Sequence, residues 1–389
     1  MPQADHRSTT RSVAIIGTRG YPSYYGGFET AVRKLAPYLA DRGWDVTVYG
    51  REGAVAPDDI DLDPRVRSVI TRGIDTKSFS TLSYGFFSAL DAMRRKPDLA
   101  IVMNVANGFI LPLLAMRGIP TLVNVDGIEW ERAKWGRIAK AVFKLGAHAA
   151  ARWGSRLVYD SEEIARRWHA EFRRDGDFIP YGGDTRDPLP VEPGLTSREY
   201  ALYVARFVPE NSVAEFFDAA ERLAVDTDVV IVGSSGYGSD FDDHARELAA
   251  REPRVRWLGH VSDDDRLHAL WQHAGAYFHG HSVGGTNPAL VQAMALGAPV
   301  IARDTVYNRE VLGEAAVFTQ PDAIAIAAAV RQVLTDTELQ TALAEGAAER
   351  AVGVYTWDVV NALYENSLMN LAEARIDHRA EGHASAPLR

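Results

Sequence analysis

The sequence predicts an α/β protein made of two doubly wound, Rossmann-like domains in tandem. Short apolar runs rich in Val, Ile and Ala recur along the chain, each followed by a loop of Gly and polar residues. Behind each loop comes a stretch with apolar residues three and four apart. That alternation is the pattern of a buried parallel sheet with crossover helices. It breaks in the Pro-, Gly- and Asp-rich segment YGGDTRDPLPVEPGLTSRE and restarts at Tyr200. A chain of 389 residues with 47% hydrophobic content can bury two cores of this kind.

Residues 1–11 are polar and read as a disordered tail; the first domain is expected over 12–185. Ser12 to Gly17 (SVAIIG) has the look of a central strand, and the loop TRGYPSYYGG leads to a helix from about Phe28, with Val32, Leu35 and Leu39 on one face. Pro37 costs up to ~3 kcal/mol inside a helix, so a kink or an early end is expected near it. Gly43 closes that helix, and Asp45 to Tyr49 is the next strand. Strands then follow at Val66 to Ile70, Leu99 to Met103, Thr121 to Val125, Leu157 to Tyr159 and Phe178 to Pro180. Helices are expected at Tyr84 to Arg94, Gly108 to Met116 and Glu162 to Phe172.

A linker at 186–198 separates the second domain, 199–354. Its strands are Tyr200 to Val204, Val229 to Gly233, Arg254 to Leu258, a run ending at Phe278, Pro299 to Ala302 and Ala315 to Phe318. Its helices are Val213 to Leu223, Arg266 to His273, one starting at Pro288, Ala323 to Leu334 and Leu339 to Ala351. Ser262 with Asp265 reads as a variant capping box, a better account of Asp263-Asp264-Asp265 than a metal site. Residues 355–372 form an amphipathic helix through Trp357, Val360, Tyr364, Leu368 and Leu371, and 373–389 read as a disordered polar tail.

Composition narrows the function. The net charge of -10 gives no global electrostatic case for nucleic acid. With no cysteine there is neither a disulfide framework nor a thiolate metal site. The N-terminal residues lack the apolar core of a signal peptide, and no run approaches the roughly 18 apolar residues of a membrane span. A cytoplasmic protein, soluble or peripheral on the inner face of the membrane, is expected.

The chain is organised around HGHSVGGTNPALVQAMALGAPVIARD, from His279 to Asp304. Pro288 suits the first turn of a helix, where its missing N–H would be unpaired anyway. Leu290, Val291, Met294 and Ala295 give that helix a buried face, and Gly297 stops it. Gly284, Gly285, Thr286 and Asn287 then sit where backbone N–H groups and the helix dipole favour an anion. This outlines a phosphate or diphosphate site. Gly26 and Gly27 precede the first helix, where a close backbone approach to a ligand competes with a plain tight turn. Asp126 and Glu129 follow a strand, at the sheet edge where open α/β folds bind ligands; solvated loop carboxylates are the competing reading.

The loop motif His-Gly-His-x-Val-Gly-Gly-Thr-Asn-Pro-x-Leu, with GTRGYPSYYGGFET near the N-terminus, resembles bacterial family 4 glycosyltransferases, in the branch of the capsular β-1,4-rhamnosyltransferases. The resemblance spans about residues 12 to 372. It implies the GT-B arrangement, two such domains facing across a cleft with the last helix crossing back to the first. It also implies transfer of a sugar, L-rhamnose from dTDP-L-rhamnose, to a lipid-linked oligosaccharide in capsule or exopolysaccharide synthesis. Retention of configuration, no divalent metal and no cofactor beyond a dTDP- or UDP-sugar donor are implied too. Arg206 matches the family arginine that grips the diphosphate, with Asn211 nearby where a lysine is common. Gly284 and Gln292 occupy the positions of two family glutamates, the second of which contacts ribose. His281 faces donor phosphate or sugar in this comparison, His279 less so; Asp126 and Glu129 face the acceptor, with Asp126 meeting its hydroxyl.

Segment 131–156 mixes Arg and Lys with Trp, Ile, Val and Phe. Such a basic amphipathic stretch suits an anionic bilayer, or else is a solvated face over ordinary core. Two other functions share these features: a nucleotide-sugar 2-epimerase of the hydrolysing kind, which needs no acceptor, and a non-catalytic nucleotide-sugar-binding partner of a transferase complex.

Overall fold

Each half of the chain folds around its own parallel sheet. The computed structural model describes residues 10–24, 26–55, 59–74, 80–132, 135–236 and 238–384, and these form two units. The first comprises residues up to Ile179 and again from Asn361; the second is Pro180–Val360.

In the first unit the elements are β1 (Ser12–Ile16), α1 (Gly27–Asp41), β2 (Asp45–Gly50), β3 (Arg67–Ile70), α2 (Ser80–Arg95) and β4 (Leu99–Met103). A 3-10 segment, Val105–Ile110, leads into α3 (Leu111–Met116), followed by β5 (Thr121–Asn124), α4 (Arg137–Trp153), β6 (Arg156–Tyr159), α5 (Glu162–Phe172) and β7 (Asp177–Phe178). The strand order is β3-β2-β1-β4-β5-β6-β7, all parallel. Central strands β1 and β4 are buried almost throughout, which is why they read as unbroken apolar runs.

The second unit holds β8 (Tyr200–Val204), α6 (Val213–Leu223), β9 (Asp228–Val232), α7 (Asp240–Arg251), β10 (Val255–Trp257), α8 (Asp264–His273) and β11 (Ala276–His279). It continues with α9 (Pro288–Ala295), β12 (Val300–Arg303), α10 (Val306–Leu312), β13 (Ala316–Thr319), α11 (Ala323–Thr335) and α12 (Thr337–Val354), and α13 (Trp357–Ala384) begins in it. Its order is β10-β9-β8-β11-β12-β13, again parallel. In both sheets the order reverses beside the first strand, at β1/β4 and at β8/β11. Loops leaving these strands diverge at the carboxyl edge, where such sheets usually bind ligands.

Several expectations need correction. Pro37 does not end α1, which runs on to Asp41 while Val32, Leu35 and Leu39 hold it to the sheet. The acidic helix start is capped by Asp263, which accepts from the Arg266 N–H at 3.1 Å, not by a Ser262–Asp265 box. The chain leaves the first unit at Ile179, ahead of the 186–198 segment, because Gly183 is already tied to the second: its N–H donates to the Tyr355 carbonyl at 2.7 Å. From Asn361 onward α13 belongs to the first unit, where Glu365 accepts from Arg42 and Trp44 and Ser367 donates to Asp177. It stays helical to Ala384, so 373–384 are not the coil the polar sequence suggests. Residues 1–9 and 385–389, at the two expected tails, lie outside the described residues, as do Tyr25 of the N-terminal motif and Lys134 of the basic segment.

Candidate functional site

Two loops meet at the β8/β11 switch point. Residues 205–212 leave β8, and residues 280–287 leave β11. Three bonds tie them: the Ser212 hydroxyl donates to the Gly280 carbonyl at 2.8 Å, and the Ser282 N–H and hydroxyl both donate to the Glu210 carbonyl at 3.0 and 2.8 Å. Gly280 is required for this approach, since a Cβ there would stand 2.3 Å from the Asn211 carbonyl oxygen. On this frame Arg206 is exposed, and no ion pair among the described residues engages its guanidinium.

The second loop delivers the start of α9. Gly284 has φ +99°, a conformation that favours glycine over any side chain. Gly284, Gly285 and Asn287 are partly exposed and Thr286 is buried. Asn287 is the N-cap: its side chain accepts from the Ala289 N–H at 3.0 Å. Its carboxamide oxygen therefore serves the helix, and the donors it has to offer an anion are its Nδ2 and its backbone N–H.

His279 and His281 stack, with ring centroids 4.3 Å apart and planes 11° apart. His279 is fully buried, its Nδ1 lies 3.0 Å from the Tyr277 hydroxyl, and burial together with His281 holds its pKa well below the usual histidine range. A neutral ring there supports His281, which is the one of the pair that reaches the surface.

Two residues expected to contact the donor are also engaged within the fold. Gln292 clamps the backbone of Asp184: its Oε1 accepts from the Asp184 N–H at 3.0 Å and its Nε2 donates to the Asp184 carbonyl at 2.8 Å. Its amide thus positions α9 against the Asp184 backbone. Asn211 is buried and donates from Nδ2 to the Arg206 carbonyl at 2.8 Å, so it shapes the loop that presents Arg206.

In the first unit the carboxyl edge at β4/β5 carries Asp126. Both Asp126 (φ +61°) and Asn104 (φ +69°) adopt left-handed backbone, strain of a kind that clusters at functional sites. Asn104 Nδ2 donates to Asp126 Oδ2 at 3.0 Å, and the Asp126 N–H donates to Asn124 Oδ1 at 2.9 Å. Asn124 in turn donates to the Tyr364 hydroxyl of α13 at 2.8 Å. Asp126 thus stands, partly exposed, on a braced platform. Glu129 does not share its role: it is 3% exposed and accepts from Arg132 at 2.7 Å and Trp135 at 2.6 Å, a buried anchor for the following segment. At the first helix, Gly26 and Gly27 front a turn that carries its own carboxylate. Glu29 folds back to accept from the Arg19 N–H at 3.1 Å, supplying the negative charge a helix start favours.

Sequence reasoning missed Asn104, Asn124 and Tyr364. The only local signal was two Asn residues at successive strand ends, a weak hint of left-handed turns. Among the described residues no group of three His, Asp or Glu is placed to hold a metal ion.

Residues 26–182 match the family model Glycosyl transferase 4-like domain, and residues 188–350 match Glycosyl transferases group 1. The chain is 28% identical over 165 residues to O-antigen chain mannosyltransferase B of Escherichia coli, 41% of this chain and 43% of that protein. It is 29% identical over 212 residues to the phosphatidyl-myo-inositol mannosyltransferase of Mycobacterium leprae (strain TN), 51% of this chain and 54% of that one. The matched stretches span about half the length of these curated relatives. Anabaena HepE, solved in complex with UDP-glucose, has the same fold at 15% identity, with a TM-score of 0.72 over 92% of this chain and 99% of that one. With a matched domain on each of its two parallel sheets, the chain belongs to the group 1, family 4-like glycosyltransferases of GT-B fold.

Proposed function

We propose that this protein transfers a sugar from a nucleotide diphosphate to a lipid-linked saccharide, with dTDP-L-rhamnose as donor, in capsule or exopolysaccharide synthesis. The observation that carries the donor half is the bonded pair of loops at β8/β11. It presents the Arg206 guanidinium, engaged by no ion pair among the described residues, beside backbone leading to the half-exposed start of α9. Breaking a sugar–diphosphate bond leaves new negative charge on the diphosphate, and preorganised donors of this kind stabilise it. HepE binds UDP-glucose on the same fold, which supports a nucleotide-sugar donor. Engagement of Gln292 with Asp184 competes with one ribose contact, a weakening that a deoxyribose donor tolerates better.

On the acceptor side, Asp126 on its Asn104–Asn124 platform meets the acceptor hydroxyl. The reaction retains configuration, and the leaving diphosphate takes the acceptor proton without a divalent metal. The Mycobacterium leprae relative is named for a lipid acceptor. Helix α4 and its flanks suit the inner, anionic face of a membrane: Ile138, Leu145 and Trp153 are 84%, 59% and 43% exposed among Arg137, Lys140 and Arg152. No helix of the described residues is long and apolar enough to cross a membrane.

The two curated relatives are mannosyltransferases, which favours mannose as the competing donor sugar. Thermal-shift titration with dTDP-L-rhamnose, UDP-glucose and GDP-mannose decides between them, because a ligand of the native state raises its stability. The dTDP-sugar is expected to give the largest shift; a larger one with GDP-mannose overturns the rhamnose assignment, and none with any overturns the donor site. Conversion of a donor without any acceptor would identify an epimerase instead.

A further inference from the structure

One groove in the first unit lies outside the donor loops. Leu82 and Phe86 of α2, Val142 of α4, and Ala106, Asn107, Phe109 and Ile110 of the 3-10 segment enclose about 320 Å³, within the range of ligand clefts. Its lining is apolar except for Asn107, whose Nδ2 is already bonded to the Met103 carbonyl. Phe86 and Phe109, on the rim, are 44% and 43% exposed.

The groove is built rather than incidental. Its walls meet closely at three glycines, two of them backbone to backbone: a Cβ on Gly108 would stand 2.1 Å from the Gly146 carbonyl oxygen, one on Gly146 2.3 Å from that of Val105, and one on Gly85 2.2 Å from the side-chain oxygen of Asn107. Along α4, Gly146, Val142 and Ile138 follow at four-residue steps, so one helix face runs from packed, through the groove, to 84% exposed. Next to the exposed end stands Arg137, also exposed. At the other end, the 3-10 segment starts directly after Asn104, the residue that holds Asp126. At ~2.0 Å per residue, Phe109 is about 10 Å from Asn104 along the chain.

From this we infer that the groove binds the hydrocarbon chain of a lipid phosphate, the carrier of the acceptor sugar, with its phosphate at the Arg137 end. An apolar slot suits the chain, and the cationic α4 flank, Arg137 and Lys140, complements the phosphate. The inference rests on the lipid-acceptor reading above and adds to it the site and the single-chain chemistry.

A photoreactive diazirine analogue of farnesyl phosphate tests it on the full chain, with the labelled peptides mapped. Labelling is expected on the α2, 105–110 and α4 peptides, displaced by farnesyl phosphate but not by inorganic phosphate or by phosphatidylglycerol vesicles. Val142→Trp fills the slot from its rim and should cut labelling at least tenfold. Phe109→Ser, at an exposed position that leaves folding intact, should cut it several-fold. Both variants keep the thermal shift given by nucleotide sugar, so a wild type without that shift marks failure of the donor reading, independently of the label. Labelling elsewhere, labelling unchanged in both variants, or equal displacement by phosphatidylglycerol vesicles overturns the inference, the last by making a bulk membrane lipid the occupant.

Discussion

Replacing Gln292 by Glu separates two roles that a sequence pattern cannot. If this position binds ribose, as the family glutamate does, Gln292→Glu restores a better acceptor and tightens nucleotide binding. The geometry says otherwise. A carboxylate still accepts from the Asp184 N–H, now 3.0 Å from Oε1, but has no N–H for the Asp184 carbonyl, now 2.8 Å from Nε2. One hydrogen bond is lost and two oxygens are left facing each other. An acceptor left unsatisfied costs about 1–3 kcal/mol when buried; this one is part-buried but would also face a carboxylate oxygen, so about 2 kcal/mol is expected.

That loss falls where residues 182–184 are already wedged. A Cβ on Gly183 would stand 2.7 Å from the Val291 carbonyl oxygen, and one on Gly182 2.7 Å from the Trp357 ring. The segment has little room to find a new partner. For a unit of this size about 2 kcal/mol lowers the melting temperature by about 4–8 °C. Thermal unfolding of wild type, Gln292→Glu and Gln292→Met measures it, Met keeping the length without either bond. Both variants are expected to melt lower, with no gain in nucleotide affinity. A Glu variant as stable as wild type that binds dTDP or UDP more tightly would refute the clamp and return the residue to the ribose.

Arg206→Ala should lower kcat/KM by about a hundredfold, ~2.7 kcal/mol of transition-state stabilisation, with the melting temperature unchanged because no ion pair among the described residues is lost. Gly280→Ala forces apart the β8 and β11 loops and should cost about 2–3 kcal/mol while weakening nucleotide binding; calorimetry reads both. His279 has its pKa depressed by burial, so protons prefer the unfolded chain. Stability is therefore full above the unfolded value of about 6.5 and falls as the pH drops below it, by up to about 1.4 kcal/mol per pH unit. Buried His268 shifts the same way, so the comparison must be made against His279→Gln, whose urea-unfolding profile should be flatter below pH 6.5. Turnover insensitive to EDTA is expected; a strict Mg²⁺ requirement would contradict the proposed metal-free departure of the diphosphate.

The two sheets were legible because parallel strands covered on both faces must be apolar along their length, as Val13 to Ile16 and Val229 to Val232 are. Helix α7 was not, because only Asp242, Ala245 and Leu248 of its residues are buried and the rest are polar or exposed. The 3-10 start at Val105 was missed for a related reason. VANGFI has neither helical nor alternating period, and its shape is set by glycine contacts with α4 rather than by its own propensity. At the candidate site, motif and spacing placed the loops between their strands and helices but said nothing of partners. Gln292 meets Asp184, more than a hundred residues earlier, and Asn124 meets Tyr364 across a longer gap. Glu129 looked like an exposed acid because its partners, Arg132 and Trp135, belong to a segment read for its surface charge.

On the proposed reading, the loop after β11 binds a diphosphate without the carboxylates of the family it resembles. Gly284 and Gln292 stand where two glutamates are usual, and Asn211-Ser212 where a lysine is common, so two potential negative charges and one positive are absent. The balance leaves the region more positive by one unit than the family pattern, which favours a diphosphate, and Arg303, donating to the Ser212 hydroxyl at 3.1 Å, stands at the same junction. The replacements are also put to use in the fold. Asn211 fixes the loop of Arg206, Ser212 fixes Gly280, and Gln292 fixes α9. Charge that could have bound the donor directly has been exchanged for neutral side chains that hold backbone amides and Arg206 in place. A loop built that way loses affinity when its geometry is disturbed, so Gly280→Ala should weaken nucleotide binding as much as Arg206→Ala does. If Gly280→Ala instead binds normally while Arg206→Ala fails, the guanidinium acts alone and the neutral braces are incidental.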